Sequence, residues 1–224
     1  MTLSPLGDSA VVVALGDGAD ALAMPRVRAL AAALAHETPA GVVDIVPAFA
    51  SVTVFYDAAH TGGYSRLCSA IEACVTRAET AVVVHDPRCV EIPVCYGGAF
   101  GPDIDEVATR AGLRSEEVIA LHSGATLLVQ AVGFAPGFGY LTGLPAKIHT
   151  SRRATPRTNV PAGTVGIGGE QTGVYPLLTP GGWNLIGRTP CAMFDAARAE
   201  PALLRVGDRV KFRAISAEEF AAWK

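Results

Sequence analysis

Apolar and polar positions change their rhythm along the chain. Ala10–Leu15 is a β-rich run behind the turn residues Gly7-Asp8 and predicts a strand. Met24, Val27, Leu30, Ala31 and Leu34 then recur at helical spacing, with Pro25 where only a first helical turn tolerates it. Val42–Val46 and Ser51–Tyr56 read as strands separated by Pro47-Ala48. Tyr64, Leu67, Cys68, Ile71, Cys74 and Val75 return to helical steps, and Ala81–His85 is a further β-branched run. The order β-α-β-β-α-β is that of the ferredoxin-like split motif and predicts a small α+β domain over residues 1–86. Such a unit reads as a scaffold or as a small-molecule or partner-binding module.

Asp86-Pro87-Arg88 marks the boundary, and Val90–Tyr96 predicts the next strand. Two short helices follow. Asp103 with Glu106 resembles a capping box, Gly112 stops the first helix, and Ser115 with Glu116 and Glu117 starts the second. From Thr126 onward helical periodicity fades. Strand candidates at Thr126–Val132, Thr164–Gly168, Val174–Leu178, Asn184–Ile186 and Arg209–Arg213 are separated by Gly and Pro, which predicts an all-β barrel or sandwich. The expected fold class is therefore α+β, with a second domain over residues 87–224.

Composition narrows the function classes. Half of the 224 residues are apolar and 17% are charged, which excludes a disordered chain. The apolar run Ala29–Ala35 falls far short of the ~20 residues of a spanning helix, so no membrane partner is expected. A net charge of −3 provides no global basic field for nucleic acid. The five cysteines form no Cys-x-x-Cys and the five histidines are scattered, so no sequence-local metal site is expected. The Met1 start lacks a basic and apolar leader, which predicts a cytoplasmic protein with reduced thiols.

Residues 133–188 change the picture most. They hold 12 of the 24 glycines, and Lys147, Arg152, Arg153, Arg157 and Arg188 face only Glu170. Glycine lets backbone amides approach a ligand and guanidinium supplies bidentate donors, so the segment reads as an anion site or as tight turns with solvated arginines. No Gly-x-x-x-x-Gly-Lys-Ser/Thr, Gly-x-Ser-x-Gly or Ser-x-x-Lys arrangement is present, and no Met-Lys biotin site. The chain therefore reads as an incomplete enzyme that contributes binding groups.

Four ordered motifs carry a resemblance: Gly133-Phe134-Ala135-Pro136-Gly137-Phe138-Gly139-Tyr140-Leu141, Pro156-Arg157-Thr158-Asn159-Val160-Pro161-Ala162-Gly163, Gln171-Thr172-Gly173-Val174-Tyr175-Pro176 and Thr179-Pro180-Gly181-Gly182-Trp183-Asn184. They resemble the allophanate hydrolase subunit 1, or carboxyltransferase-domain subunit 1, family, which includes 5-oxoprolinase B subunits and the KipI kinase inhibitors. The resemblance implies a ferredoxin-like α+β domain followed by a cyclophilin-like β-barrel. It implies a sister chain, the family's subunit 2 (the C subunit in 5-oxoprolinases), and a third, separate subunit. It implies a cyclic amide or ureido substrate, most concretely ATP-dependent opening of 5-oxoproline to glutamate, with ATP and magnesium shared among partner subunits and no biotin on this chain. Its alternatives are a KipI-like inhibitor of a sensor histidine kinase and a urea or allophanate metabolism component.

Candidate site residues follow. Arg157, in a loop stiffened by flanking prolines, reads as a phosphate or carboxylate clamp or as a structural arginine. Arg188 reads as a substrate ligand or a brace for Asp195 or a turn. Gln171 and Tyr175 can read a lactam or ureido group through paired hydrogen bonds, and Trp183 reads as an interface anchor or a stacking platform. His122, at a helix end, reads as a general acid or base or as a helix-terminal histidine. The amides of Phe134–Phe138, around Gly137, are a candidate anion nest.

Overall fold

In the computed structural model, which describes residues 1–17, 23–80 and 88–223, the chain divides into the units Met1–Asp86 and Pro87–Lys224. The first unit contains β1 (Thr2–Pro5), β2 (Ala10–Ala14), α1 (Ala23–His36), β3 (Val42–Ala48), β4 (Ser51–Tyr56) and α2 (Tyr64–Thr80). Its strands form an antiparallel ladder in the order β1-β2-β4-β3. The period-two alternation buries Val11 and Val13 of β2 and Val52 and Val54 of β4. Val27, Leu30 and Leu34 of α1 and Leu67 and Ile71 of α2 are buried where the two helices pack together. The place beside β2 is taken by β1, which is too short and polar for its pattern to predict a strand. The expected strand Ala81–His85 lies outside the described residues.

The second unit is built on a barrel. It comprises β5 (Cys89–Tyr96), α3 (Ile104–Ala111), α4 (Ser115–Gly124), β6 (Leu127–Val132), β7 (Gly139–Thr142), β8 (Arg157–Val160), β9 (Thr164–Gly168), β10 (Gln171–Val174), β11 (Thr179–Gly181), β12 (Asn184–Arg188), β13 (Arg209–Ala214) and α5 (Ala217–Ala221). Seven strands run in the order β6-β13-β5-β12-β9-β10-β7, and a β6–β7 pairing closes the ring. The β5–β13 pair is parallel and the others are antiparallel. Closure leaves no sheet edge within the ring. Ile92, Val129, Leu141, Ile167, Ile186 and Phe212 fill the interior, and Val107 of α3 and Val118 of α4 pack against them. A separate two-stranded ribbon, β8 with β11, stands outside this ring.

Two local expectations are corrected. Strand β10 starts three residues earlier than Val174, because the tight turn at Gly169-Glu170 pairs Gln171 with Gly168 and draws Gln171–Val174 into a hairpin. Asp103 makes no side-chain cap for α3. Its carboxylate accepts instead from the Leu185 backbone N–H at 2.7 Å and from arginines of the loop before β8 and of β8 itself. Gly112 does stop α3, in the left-handed region at φ +64.

Candidate functional site

The turn between β6 and β7, the loop before β8 and the β10–β12 segment converge on one cleft of about 310 Å³. That volume lies at the small end of ligand clefts, which run ~300–1,000 Å³. Its floor is aromatic. Phe138, Tyr175 and Trp183 are buried, and Tyr140 is half-buried beside them. Their rings meet edge to face: Phe138 lies 4.9 Å from Tyr140, 5.4 Å from Tyr175 and 5.4 Å from Trp183. Edge-to-face pairs place positive ring edges on negative faces, so the cluster is a rigid wall. Two glycines make this approach possible. A Cβ at Gly181 would collide with the Tyr175 hydroxyl, and one at Gly168 with the Trp183 indole nitrogen. Burial pushes the Tyr175 phenol up, opposed by a hydrogen bond from the Trp183 backbone and by the charge of Arg152.

At the lip stands Phe134, 62% exposed and at φ +69, edge-on to Phe138 at 5.5 Å. A bulky residue in the left-handed region stores strain, and such strain concentrates at functional sites. The turn around it is tied internally: the Ala135 N–H donates to Gly133 O at 2.8 Å and the Phe138 N–H to Ala135 O at 2.9 Å. Those two amides are thus engaged, which removes them from the expected anion nest.

The cations divide into two kinds. Arg157 Nη2 donates to Asp103 Oδ1 at 2.6 Å, and Arg153 Nη1 bridges Asp103 Oδ1 at 3.3 Å and Glu106 Oε2 at 3.2 Å. Asp103 is only 4% exposed. It therefore fastens the loop before β8 to the start of α3 and to β12. Arg152 is different: its guanidinium carbon lies 5.8 Å from the Trp183 ring centroid, over the cleft.

Of the residues expected at a site, Tyr175 and Trp183 come together in the cleft. The others do not line it. Arg157 takes up the structural alternative in this arrangement: Nη2 donates to Asp103 Oδ1, and Nη1 is buried with no hydrogen-bond partner among the described residues. Arg188 braces a turn by donating from Nε to Ala162 O at 2.9 Å. Gln171 sits half-buried at the start of β10. Gly137 supplies φ +82 in the β6–β7 turn, where a Cβ would crowd Met193 O and Phe194. Arg152, named only as one cation of the glycine-rich segment, and the side chains of Phe134, Phe138 and Tyr140 also line the site. The signal available for them was the density of aromatic residues in residues 133–188.

His122 is also corrected. It is fully buried on α4 and stacks on Phe212 at 4.7 Å. The Thr172 hydroxyl donates to Gly166 O at 2.8 Å, so it accepts from His122 Nε2 at 2.9 Å. Nδ1 then accepts from the Tyr96 hydroxyl at 2.8 Å. This network assigns a neutral imidazole protonated at Nε2, and burial pushes its pKa from 6.5 down to about 3. A proton refused by the folded state is still taken by the unfolded chain. Stability is therefore complete above pH 6.5 and falls as pH drops from 6.5 toward about 3. The expected slope from this group is about 1.4 kcal/mol per pH unit. Urea unfolding of the chain and of His122→Asn at several values between neutral and mildly acidic pH checks it: the acid-side slope should diminish in the variant.

Comparison with known proteins agrees with this architecture. The family model described as carboxyltransferase domain, subdomain C and D matches residues 1–204. The 5-oxoprolinase B subunit of Bacillus subtilis (strain 168) is 43% identical over 99% of this chain and 96% of its own length. That of Escherichia coli O157:H7 is 46% identical over 92% of this chain and 93% of its own. A crystal structure of TTHA0988 superposes with a TM-score of 0.80 at 39% identity over 93% of this chain, which spans 40% of that longer chain.

Proposed function

The chain belongs to the carboxyltransferase-domain family, subdomain C and D, and on that premise we propose that it is one subunit of an ATP-dependent 5-oxoprolinase. The complex converts 5-oxoproline, ATP and water to glutamate, ADP and phosphate. The observation that carries this reading is the near-full-length identity with proteins named as 5-oxoprolinase B subunits. A chain that matches a B subunit end to end and lacks a phosphate-binding loop is a partner in catalysis, inactive alone. Its partners are the sister C subunit and a third, separate subunit, and its aromatic cleft contributes to the lactam site.

ATP enters as a substrate of the complex. Among the described residues no group of three or more His, Cys, Asp or Glu is placed to hold a metal ion. In this reading magnesium arrives with ATP and is shared with the partner subunits, and no phosphoryl-transfer step is assigned to this chain. Dependence on ATP supports a cytoplasmic location for the complex. Among the described residues no helix is long and apolar enough to cross a membrane. In the same reading the barrel is of the cyclophilin-like type and the N-terminal unit is a ferredoxin-like domain.

Mixing the purified chain with the two partner subunits encoded in its genome tests the reading. Co-elution on size exclusion, with 5-oxoproline-dependent phosphate release only from the full mixture, is the expected result. Phosphate release that is indifferent to this chain overturns it. Tight binding to a sensor histidine kinase in place of those partners would identify a KipI-like regulator.

A further inference from the structure

We propose that the aromatic cleft is a carboxylate-anchored subsite for a small lactam ring, with Arg152 as the anion anchor and the Trp183–Phe138–Tyr175 wall as the surface against which the ring lies. The inference rests on the 5-oxoprolinase reading for the ligand's identity, and on the cleft alone for its chemical class.

The distribution of charge carries it. Three arginines stand close together in the chain, but Arg153 and Arg157 are engaged by Asp103 and Glu106. Both guanidinium groups are thus already committed to carboxylates. Arg152 is exposed, and no hydrogen bond or ion pair ties it to another described residue. It is held over the cleft only by the Trp183 face, and its charge reaches the Tyr175 phenol. Among the described residues no Asp or Glu lines the cleft. A cation over a concave, aromatic, carboxylate-free wall attracts an anion, and a guanidinium fork matches a carboxylate bidentately.

The remainder of the cleft selects the body of the ligand. A volume of about 310 Å³ admits a small metabolite. The aromatic floor presents ring faces and edges to a bound ring and favours a compact ring over a branched chain. The Tyr175 hydroxyl supplies a polar group at the same surface. Phe134 stands at the lip in a strained conformation, positioned to cover one edge of a bound ring. 5-Oxoproline combines these features: a near-planar lactam with one carboxylate on the ring.

The chain has two tryptophans, Trp183 in the cleft and Trp223 near the end of the chain, so one serves as probe and the other as control. The full chain, with its indole nitrogens isotopically labelled, is titrated with 5-oxoproline, with pyrrolidinone (the same lactam without the carboxylate) and with acetate (the carboxylate without the ring). The expected result is a saturable shift of the Trp183 indole signal with 5-oxoproline and none at Trp223. Arg152→Gln should weaken 5-oxoproline binding at least ~10-fold while leaving pyrrolidinone unchanged. Arg152→Lys should recover only part of the loss, because the fork is absent. In the assembled complex, Arg152→Gln should raise KM for 5-oxoproline by a similar factor with a smaller effect on kcat. Equal 5-oxoproline affinity and KM in the chain and in Arg152→Gln overturns the proposal, as does the absence of any Trp183 response together with an unaltered KM. If the complex is active and Arg152→Gln behaves like the parent, the subsite falls and the 5-oxoprolinase reading stands. If the complex is inactive but Arg152-dependent binding of the carboxylate-bearing ring persists, the reading falls and the subsite stands.

Discussion

Replacing Asp103 with alanine is expected to lower the stability of the chain by about 3–5 kcal/mol, the range found when one partner of a buried ion pair is removed. Asp103 is 4% exposed and receives Arg157 Nη2, Arg153 Nη1 and the Leu185 backbone N–H. Its loss strands the Arg157 guanidinium, whose Nη1 is already buried with no partner among the described residues, and removes the acceptor of a buried amide. By contrast, Arg153→Gln should cost less than about 1 kcal/mol, because Arg153 is a third exposed and shares its contacts with Glu106. Urea denaturation followed by tryptophan fluorescence measures both. A cost for Asp103→Ala as small as that of the Arg153 change would mean that the cluster is a solvated surface pair and not the fastening of the cleft.

Trp183→Ala is expected to carry the other large effect. The indole is 5% exposed, meets Phe138 and Tyr175 edge to face, and backs onto Gly168. Truncation of a buried aromatic costs about 3–5 kcal/mol, with the spread set by how far the site collapses. In the reconstituted complex the same variant removes the wall of the cleft and the support for Arg152, and kcat/KM for 5-oxoproline should fall at least ~10-fold. Trp183→Phe keeps an aromatic face and should recover most of the stability and part of the activity. Thermal unfolding followed by circular dichroism, and phosphate release under saturating ATP, report the two effects separately. A stable Trp183→Ala protein with undiminished activity would show that the indole neither holds the fold together nor shapes a working cleft.

Where side-chain period alone decides an element, the sequence reading is close. Strand β4 (Ser51–Tyr56) and strand β9 (Thr164–Gly168) match the expected ranges because β-branched residues and alternation coincide there. Strands β7, β8 and β11 are illegible in the sequence: Gly139–Thr142, Arg157–Val160 and Thr179–Gly181 are short and rich in Gly, Pro and polar residues, and become strands only through their partners. The site divides in the same way. Tyr175 and Trp183 are visible as unusual residues among glycines. Arg157 is visible too, but its neutralisation depends on Asp103, 54 residues earlier, which the local pattern presents as a helix cap. His122 reads locally as a helix-terminal histidine, whereas its partners Tyr96 and Thr172 lie 26 and 50 residues away. Arg152 is the least legible of all, since the absence of a carboxylate beside it is a property of the folded neighbourhood.

An obligatory role for this chain in a complex that opens 5-oxoproline is tested most directly by following glutamate and phosphate together. Labelled 5-oxoproline and ATP are supplied to the two partner subunits, with this chain added or withheld. Both products are expected in equal amounts when the chain is added, and neither when it is withheld or assayed alone. Glutamate formation by the partners without this chain, or ATP hydrolysis that the chain stimulates without opening the ring, would contradict that role.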